Sequence, residues 1–115
     1  MNEEQRGNVM NVPTDRIATH PGAFLLEQIE DMELTVNGLA RDIDLPATRL
    51  HEIIHERRGV TAETAIALGE YFGQTPEFWM NAQKVYELSR ELVQNGEKIR
   101  SRIRRRAKDR AVIDG

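Results

Sequence analysis

The sequence predicts an all-α protein with one domain of five helices and a basic, helical C-terminal extension. Apolar residues recur at spacings of three and four residues along most of the chain. No stretch has the apolar and polar alternation of a half-buried strand. A proline or a capping residue stands near the start of each helical pattern. The 115 residues are enough for one compact core.

Composition narrows the class of protein. The chain is 39% hydrophobic and 30% charged, which is typical of a globular protein. No apolar run approaches the roughly 20 residues of a membrane span, and the polar, acidic start lacks the features of a secretory signal. We therefore expect a cytoplasmic protein with no membrane partner. The sequence has no cysteine, which excludes disulfides, thiol catalysis and cysteine-ligated zinc.

Charge is distributed unevenly along the chain. Residues 1–96 contain 8 Lys or Arg against 16 Asp or Glu, whereas residues 97–115 contain 8 against 3. We predict a flexible N-terminal segment at 1–19, the helical domain at 20–96 and a basic tail at 97–115. The tail has two open interpretations. In the first, the tail packs against protein, either the acidic body of the same chain or a dimer mate. In the second, it lies along a nucleic-acid backbone.

The first two helices follow an N-terminal stretch without periodicity. Pro21 suits the first position of helix 1, and apolar residues recur at helical spacing through residues 24–32. Thr35 is a candidate N-cap for a short helix 2. In that helix Leu39, Ala40 and Ile43 share one face.

A tight connection at Asp44 leads into helix 3. Pro46 suits the start of this helix, which we expect to end near Glu56. Leu50, Ile53 and Ile54 lie on one side of it and predict the buried face.

Helices 4 and 5 carry clear start and stop signals. Thr61 is a candidate N-cap for helix 4, and Gly73 stands where a helix terminator belongs. Thr75–Pro76 repeats the pattern of a cap followed by proline and starts a longer helix 5. We expect that helix to end near Asn95–Gly96, with a basic sixth helix in the tail.

Helices 2 and 3 match the helix-turn-helix unit, whose second helix enters the major groove of DNA. Such helices cross closely, and Ala40 supplies the small residue at the crossing. On a helical wheel the side of helix 3 opposite Leu50 faces the groove. Thr48 can bond a base edge, Glu52 can accept from cytosine, and the Ala47 methyl can contact thymine. We predict base-facing residues at Ala47, Thr48, Arg49, His51 and Glu52, and phosphate contacts at Asn37, His55, Arg57 and Arg58.

The run from His20 to Gln83 resembles the HigA antitoxins, also called VapI-like, a branch of the lambda-repressor-like fold. The most specific segments are His20-Pro21-Gly22, Arg58-Gly59-Val60-Thr61-Ala62, and Thr75-Pro76-Glu77-Phe78-Trp79 followed by Asn81. The resemblance implies a homodimer that binds double-stranded operator DNA at its own promoter. It further implies that the protein neutralises a HigB toxin, a RelE-like ribosome-dependent messenger-RNA nuclease. No cofactor, metal ligand or catalytic residue is expected.

Five positions depart from the pattern of that family. Val36 stands where a polar side chain usually contacts a phosphate, and Gly38 stands where Glu often closes a capping box. Asp44 replaces the glycine between the helices, and His55-Glu56 replaces an Asn-Gly pair. Val36 and Glu56, together with Glu52 on the groove-facing side, therefore predict weak or tail-assisted DNA binding.

Two other functions compete with this one. The first is a stand-alone helix-turn-helix regulator without a toxin. The second is a zinc hydrolase, because His51-Glu52-Ile53-Ile54-His55 spells HExxH, which places two imidazoles on one helix face beside a potential general base. Such a site needs a third ligand, for which Glu70 and Glu77 are candidates. We favour surface or DNA-facing histidines over metal binding of either kind, adventitious or catalytic.

Three further expectations concern packing. Trp79 and its aromatic neighbours form part of the core rather than a stacking platform for single strands. His20 has a structural role at the entry to helix 1. Along helix 5, the apolar stripe of Val85, Leu88 and Leu92 is the predicted dimer interface.

Overall fold

The computed structural model describes residues 12–106 and contains five α-helices within that range. They are α1 (Pro21–Asp31), α2 (Val36–Ile43), α3 (Ala47–Ile54), α4 (Ala62–Phe72) and α5 (Pro76–Ser101). No strand occurs among residues 12–106, and the predicted all-α class with five helices is confirmed. Residues 1–11 of the flexible segment predicted at 1–19, and residues 107–115 of the predicted tail, lie outside the described residues.

Local capping signals set most helix ends as predicted. Pro21 occupies the first position of α1. The hydroxyls of Thr35 and Thr61 each accept a bond from the backbone N–H three residues on. Asp44 and Gly73 end α2 and α4 in the left-handed conformation, with φ of 57° and 74°. These ends depend on residues within one turn, which is why the sequence predicts them.

Helix α5 continues beyond its predicted end. The expected stop near Asn95 and Gly96 is wrong, because the helix runs to Ser101, and the start of the predicted basic sixth helix is the last turn of α5. Gly96 does not take the left-handed conformation that a glycine terminator supplies. The amide of Asn95 instead donates to Glu91 at 3.0 Å, one turn back along the helix.

The core forms where the five helices meet. Helix α5 packs most extensively against α4, and α3 packs against both α1 and α2. Trp79 is fully buried, and its indole N–H donates to the side chain of Gln74 at 2.9 Å. The predicted core role of Trp79 is thus confirmed, although its neighbour Phe78 is 41% exposed. The buried apolar residues are Leu25, Ile29, Leu39, Ala40, Leu50, Ile53, Val60, Ala65, Leu68 and Trp79.

The His-Pro-Gly segment fixes α1 against α3. A Cβ atom at Gly22 would overlap the carbonyl oxygen of Ile53, so only glycine allows this close approach. His20 is the N-cap of α1, and its Nδ1 accepts the Gly22 N–H at 2.9 Å. The buried ring also meets the Tyr86 ring edge to face, with centroids 4.6 Å apart. The predicted structural role of His20 is therefore confirmed.

Helix α5 also holds the chain that precedes α1. The Ala18 N–H donates to the buried Ser89 hydroxyl at 2.8 Å, which attaches the described part of the N-terminal segment to the middle of α5. With 26 residues, α5 is about 39 Å long and is the longest of the five helices. None of the helices between residues 12 and 106 is long and apolar enough to cross a membrane.

Candidate nucleic-acid interface

Helices α2 and α3 form a helix-turn-helix unit. The three residues Asp44–Pro46 join them, and the left-handed Asp44 reverses the chain direction. The Leu45 N–H then bonds the Ala40 carbonyl at 3.0 Å, which closes the end of α2. Ala40 is buried in the core shared by the two helices, as its small size predicts. This geometry fixes α3 at a constant angle to the rest of the domain.

Burial of one side of α3 directs the other side outward. Leu50 and Ile53 are fully buried in the core. Thr48, His51 and His55 lie exposed on the opposite side. Three polar side chains therefore share an accessible helix face, as a groove-reading helix requires.

The predicted base-facing residues differ in accessibility. Thr48 and His51 are exposed, whereas Ala47 is half-buried and packs against the core. The side chain of Glu52 is 40% exposed, and that of Arg49 is 25% exposed. The accessible centre of this surface is thus Thr48, His51 and Glu52, with Ala47 and Arg49 at its edges.

Two arginines at this surface are paired with carboxylates of the same chain. Arg49 bonds Glu63 at the start of α4, with 2.9 Å between guanidinium nitrogen and carboxylate oxygen. Arg58 bonds Glu52 in the same way at 2.8 Å. Each pair neutralises a cation that a DNA phosphate would otherwise attract. When DNA binds, either a phosphate displaces the carboxylate from the arginine, or both members of the ion pair remain beside the DNA.

The predicted phosphate contacts surround the two ends of the unit. Asn37 is exposed in the first turn of α2, and His55, Arg57 and Arg58 are exposed after α3. In the loop after α3, Glu56 has a φ of 61°, in the left-handed region that glycine prefers. In the family that the sequence resembles, an Asn-Gly pair stands here, and glycine adopts this conformation without strain. Glu56 therefore adds both an acidic charge and backbone strain at this position.

Gln83 holds this loop and was not among the predicted site residues. Its side-chain oxygen accepts the buried Val60 N–H at 2.8 Å, and its nitrogen donates to Glu87 at 2.7 Å. A Cβ atom at Gly59 would lie 2.6 Å from the Gln83 side chain, so the loop passes close to α5. Gln83 and Val60 are 23 residues apart, and no local pattern links them. Glu63 was missed for the same reason.

Two side chains that contact the helix-turn-helix unit or its neighbouring helices have shifted pKa values. Burial lowers the pKa of His20, with the nearby Glu56 acting in the opposite direction and Arg90 in the same direction. His20 therefore remains neutral at neutral pH. The hydroxyl of Tyr71 in α4 donates to Asp42 in α2 at 3.1 Å, and this hydrogen bond raises the pKa of Tyr71.

The HExxH segment lies on the exposed side of α3. His51 and His55 are neighbours, with ring centroids 6.4 Å apart. Glu52, the potential general base, is bonded to Arg58. Within residues 12–106 there is no group of three or more His, Cys, Asp or Glu side chains that could hold a metal, so neither Glu70 nor Glu77 joins the histidines. The three-ligand set of a zinc hydrolase is not formed there.

The predicted dimer stripe on α5 is partly exposed. Leu88 is 47% exposed, and Val85 and Leu92 are half-buried. A shallow apolar groove of about 200 Å³ follows along the helix past Leu92 to Gly96 and Ile99. Dimerisation through this stripe remains a prediction.

Known proteins resemble the chain in sequence and in structure. It is 40% identical to virulence-associated protein I of Dichelobacter nodosus over 72 residues, which span 62% of this chain and 67% of that protein. A HigA-family addiction module antidote protein from Coxiella burnetii superposes with a TM-score of 0.75 at 34% identity, over 79% of this chain and all of that one. No protein-family model matches the chain.

A second solved structure is the Pseudomonas aeruginosa antitoxin HigA with the higBA promoter. It superposes with a TM-score of 0.72 at 34% identity, over 75% of this chain and 95% of that one. These relatives are antitoxins and a virulence-associated protein, and none of the three is named as an enzyme. With the helix-turn-helix unit formed by α2 and α3, the comparisons show that this chain belongs to the HigA family of helix-turn-helix antitoxins.

Proposed function

We propose that this protein binds, as a homodimer, to an operator ahead of its own gene and neutralises a RelE-like messenger-RNA nuclease encoded beside it. Helix α3 enters the major groove, and Thr48, His51 and Glu52 contact base edges. Arg57 and Arg58 contact the backbone at the end of the helix, and Asn37 does so from α2.

The observation that carries this proposal is the accessible polar face of α3. Its opposite side is held by Leu50 and Ile53, which are fully buried, so the exposed side chains have a fixed direction. A rigid helix with short polar side chains suits direct readout of bases. The Pseudomonas aeruginosa relative was solved with promoter DNA, which supports the same use of the fold here.

The ion pairs predict modest affinity for DNA. Arg49 and Arg58 each lie within 3 Å of a carboxylate, at 2.9 and 2.8 Å. Val36 provides no polar atom for a backbone contact. We therefore expect the affinity to depend only weakly on salt, because the slope of log affinity against log salt is proportional to the number of phosphates neutralised, and few are neutralised here.

The experiment is a binding assay on the DNA immediately upstream of the gene. Purified protein is titrated against the labelled upstream fragment and against a shuffled fragment of the same composition, at low salt. We expect preference for the upstream fragment. Equal binding to both fragments would contradict autoregulation.

Toxin neutralisation is tested with the product of the neighbouring gene, which is the proposed toxin. Copurification of the two proteins, together with relief of growth arrest when this protein is co-expressed, would support neutralisation. Selective DNA binding without any effect on the neighbouring product would instead favour the stand-alone regulator. The two parts of the proposal are therefore tested separately.

A further inference from the structure

We propose that His51 and His55 form a chelate for a divalent transition-metal ion, and that a metal held there and operator DNA exclude each other. Only the second half of this inference rests on the proposed function. Metal binding itself requires no DNA.

The two histidines keep helical register although α3 ends at Ile54. The His55 backbone N–H donates to the His51 carbonyl at 3.0 Å, so the residues are one turn apart on one face. Both side chains are exposed, and their ring planes are inclined by only 26°. Histidines at this spacing are the pair with which HExxH helices bind zinc.

A second hydrogen bond fixes which nitrogen of His55 is available. Its Nδ1 lies 2.8 Å from the His51 carbonyl oxygen. A carbonyl oxygen only accepts, so Nδ1 carries the hydrogen and donates it. In the neutral ring the free electron pair is then on Nε2. Metal-binding histidines are commonly oriented by such a bond from the other ring nitrogen.

The ligand set indicates the class of metal. Imidazole suits Cu²⁺, Ni²⁺ and Zn²⁺, and affinity rises from Ni²⁺ to Cu²⁺ and falls again at Zn²⁺. Glu52 is held by Arg58 at 2.8 Å, and no third protein ligand joins the pair within the described part of the chain. Water fills the other coordination positions. The site is thus a two-histidine chelate and not a catalytic or structural zinc centre.

Occupancy by metal conflicts with base contacts by the same helix. A metal lies about 2 Å from each ring nitrogen and carries water on its outer side. This layer separates His51 and Thr48 from base edges, which they must approach to about 3 Å for a hydrogen bond. Because the two ligands compete for one face, each lowers the affinity for the other by the same factor.

Calorimetric titration of the untagged, full-length protein with Ni²⁺ alone tests the chelate. We expect one ion per chain and a loss of affinity of about tenfold or more in both His51→Gln and His55→Gln, since chelation needs both rings. His20→Asn is the matched control, because His20 is buried and its Nδ1 is bonded to Gly22. Wild-type affinity in either test variant would overturn the site.

The competition is tested on the upstream DNA fragment. Affinity is compared in EDTA and in Ni²⁺ at about ten times its dissociation constant. We expect about a tenfold loss with the metal, because exclusive binding lowers the affinity by a factor of one plus the ratio of the free Ni²⁺ concentration to its dissociation constant. In His55→Gln the ratio of the two affinities returns to one. Unchanged or tighter DNA binding with Ni²⁺ would overturn the exclusion. The EDTA measurement tests operator binding by itself, so a failure of the proposed function is distinguishable from a failure of the metal site.

Discussion

Gln83 of α5 accepts a hydrogen bond from the Val60 backbone N–H at 2.8 Å and so attaches the loop after the DNA-facing helix to the longest helix of the protein. Val60 is only 4% exposed, and water therefore cannot readily replace the bond. The positions of Arg57 and Arg58 depend on this loop.

Removal of the Gln83 side chain should loosen the loop. We expect Gln83→Ala to lower the free energy of unfolding by about 1–3 kcal/mol, because a buried N–H is left without an acceptor. Urea unfolding measures the change. Gln94→Ala, at an exposed position on the same helix, is the control and should have little effect. Equal stability of the two variants would show that the bond is not needed.

The pair between Arg49 and Glu63 should limit DNA binding. In Glu63→Gln we expect tighter binding to the upstream fragment, because Arg49 can then contact a phosphate. The slope of log affinity against log salt should steepen by about 0.9 for one added contact. Fluorescence anisotropy over a salt series gives both values.

Glu70→Gln is the matched control for that experiment. It removes the same charge from an exposed position on the same helix, α4. If both variants bind DNA with the same affinity and slope, the effect is one of general charge, and the inhibitory role of the ion pair is wrong.

Substitution of Gly96 tests whether α5 continues through this residue. Because the helix continues through this residue, Gly96→Ala should raise the free energy of unfolding by about 0.5–1 kcal/mol. The new Cβ atom would meet only the end of the flexible Arg100 side chain, at 3.3 Å. Gly73→Ala should instead destabilise the protein, since Gly73 has a φ of 74°. Destabilisation by both substitutions would place a helix end at Gly96.

His20 should make stability dependent on pH. Burial lowers the pKa of His20 in the folded protein, whereas the unfolded chain takes up a proton near pH 6.5. Below that pH the unfolded state binds more protons, so the free energy of unfolding falls until the folded state is also protonated. His20→Asn keeps a capping side chain without this titration. We expect urea unfolding at pH 7.5, 6.5 and 5.5 to show a smaller loss of unfolding free energy with falling pH in the variant than in wild type. If the two proteins lose the same free energy over this range, titration of His20 is not the cause.

The sequence predicted the parts of the structure that depend on neighbouring residues. Thr35, Thr61 and Pro21 act within one turn of their own positions, and the buried face of α3 follows from Leu50 and Ile53 at helical spacing. The end of α5 was missed because glycine permits a terminator but does not require one.

The missing parts of the candidate site are contacts between distant segments. Arg49 and Glu63 are 14 residues apart, and Ala18 and Ser89 are 71 apart. No spacing rule links such pairs, so they become visible only when the helices are packed. The predicted DNA-contacting residues are mostly accessible, yet their pairing with carboxylates could not be predicted from the sequence.

The most direct test of the central claim compares specificity in wild-type protein and Thr48→Ala. Affinity for the upstream fragment and for the shuffled fragment is measured by anisotropy in EDTA. We predict that wild type prefers the upstream fragment and that the substitution reduces this preference by about 1–3 kcal/mol, with little change on shuffled DNA. His51→Ala and Glu52→Gln are measured in the same way. If all three variants keep the wild-type preference for the upstream fragment over the shuffled one, the exposed face of α3 does not read the operator.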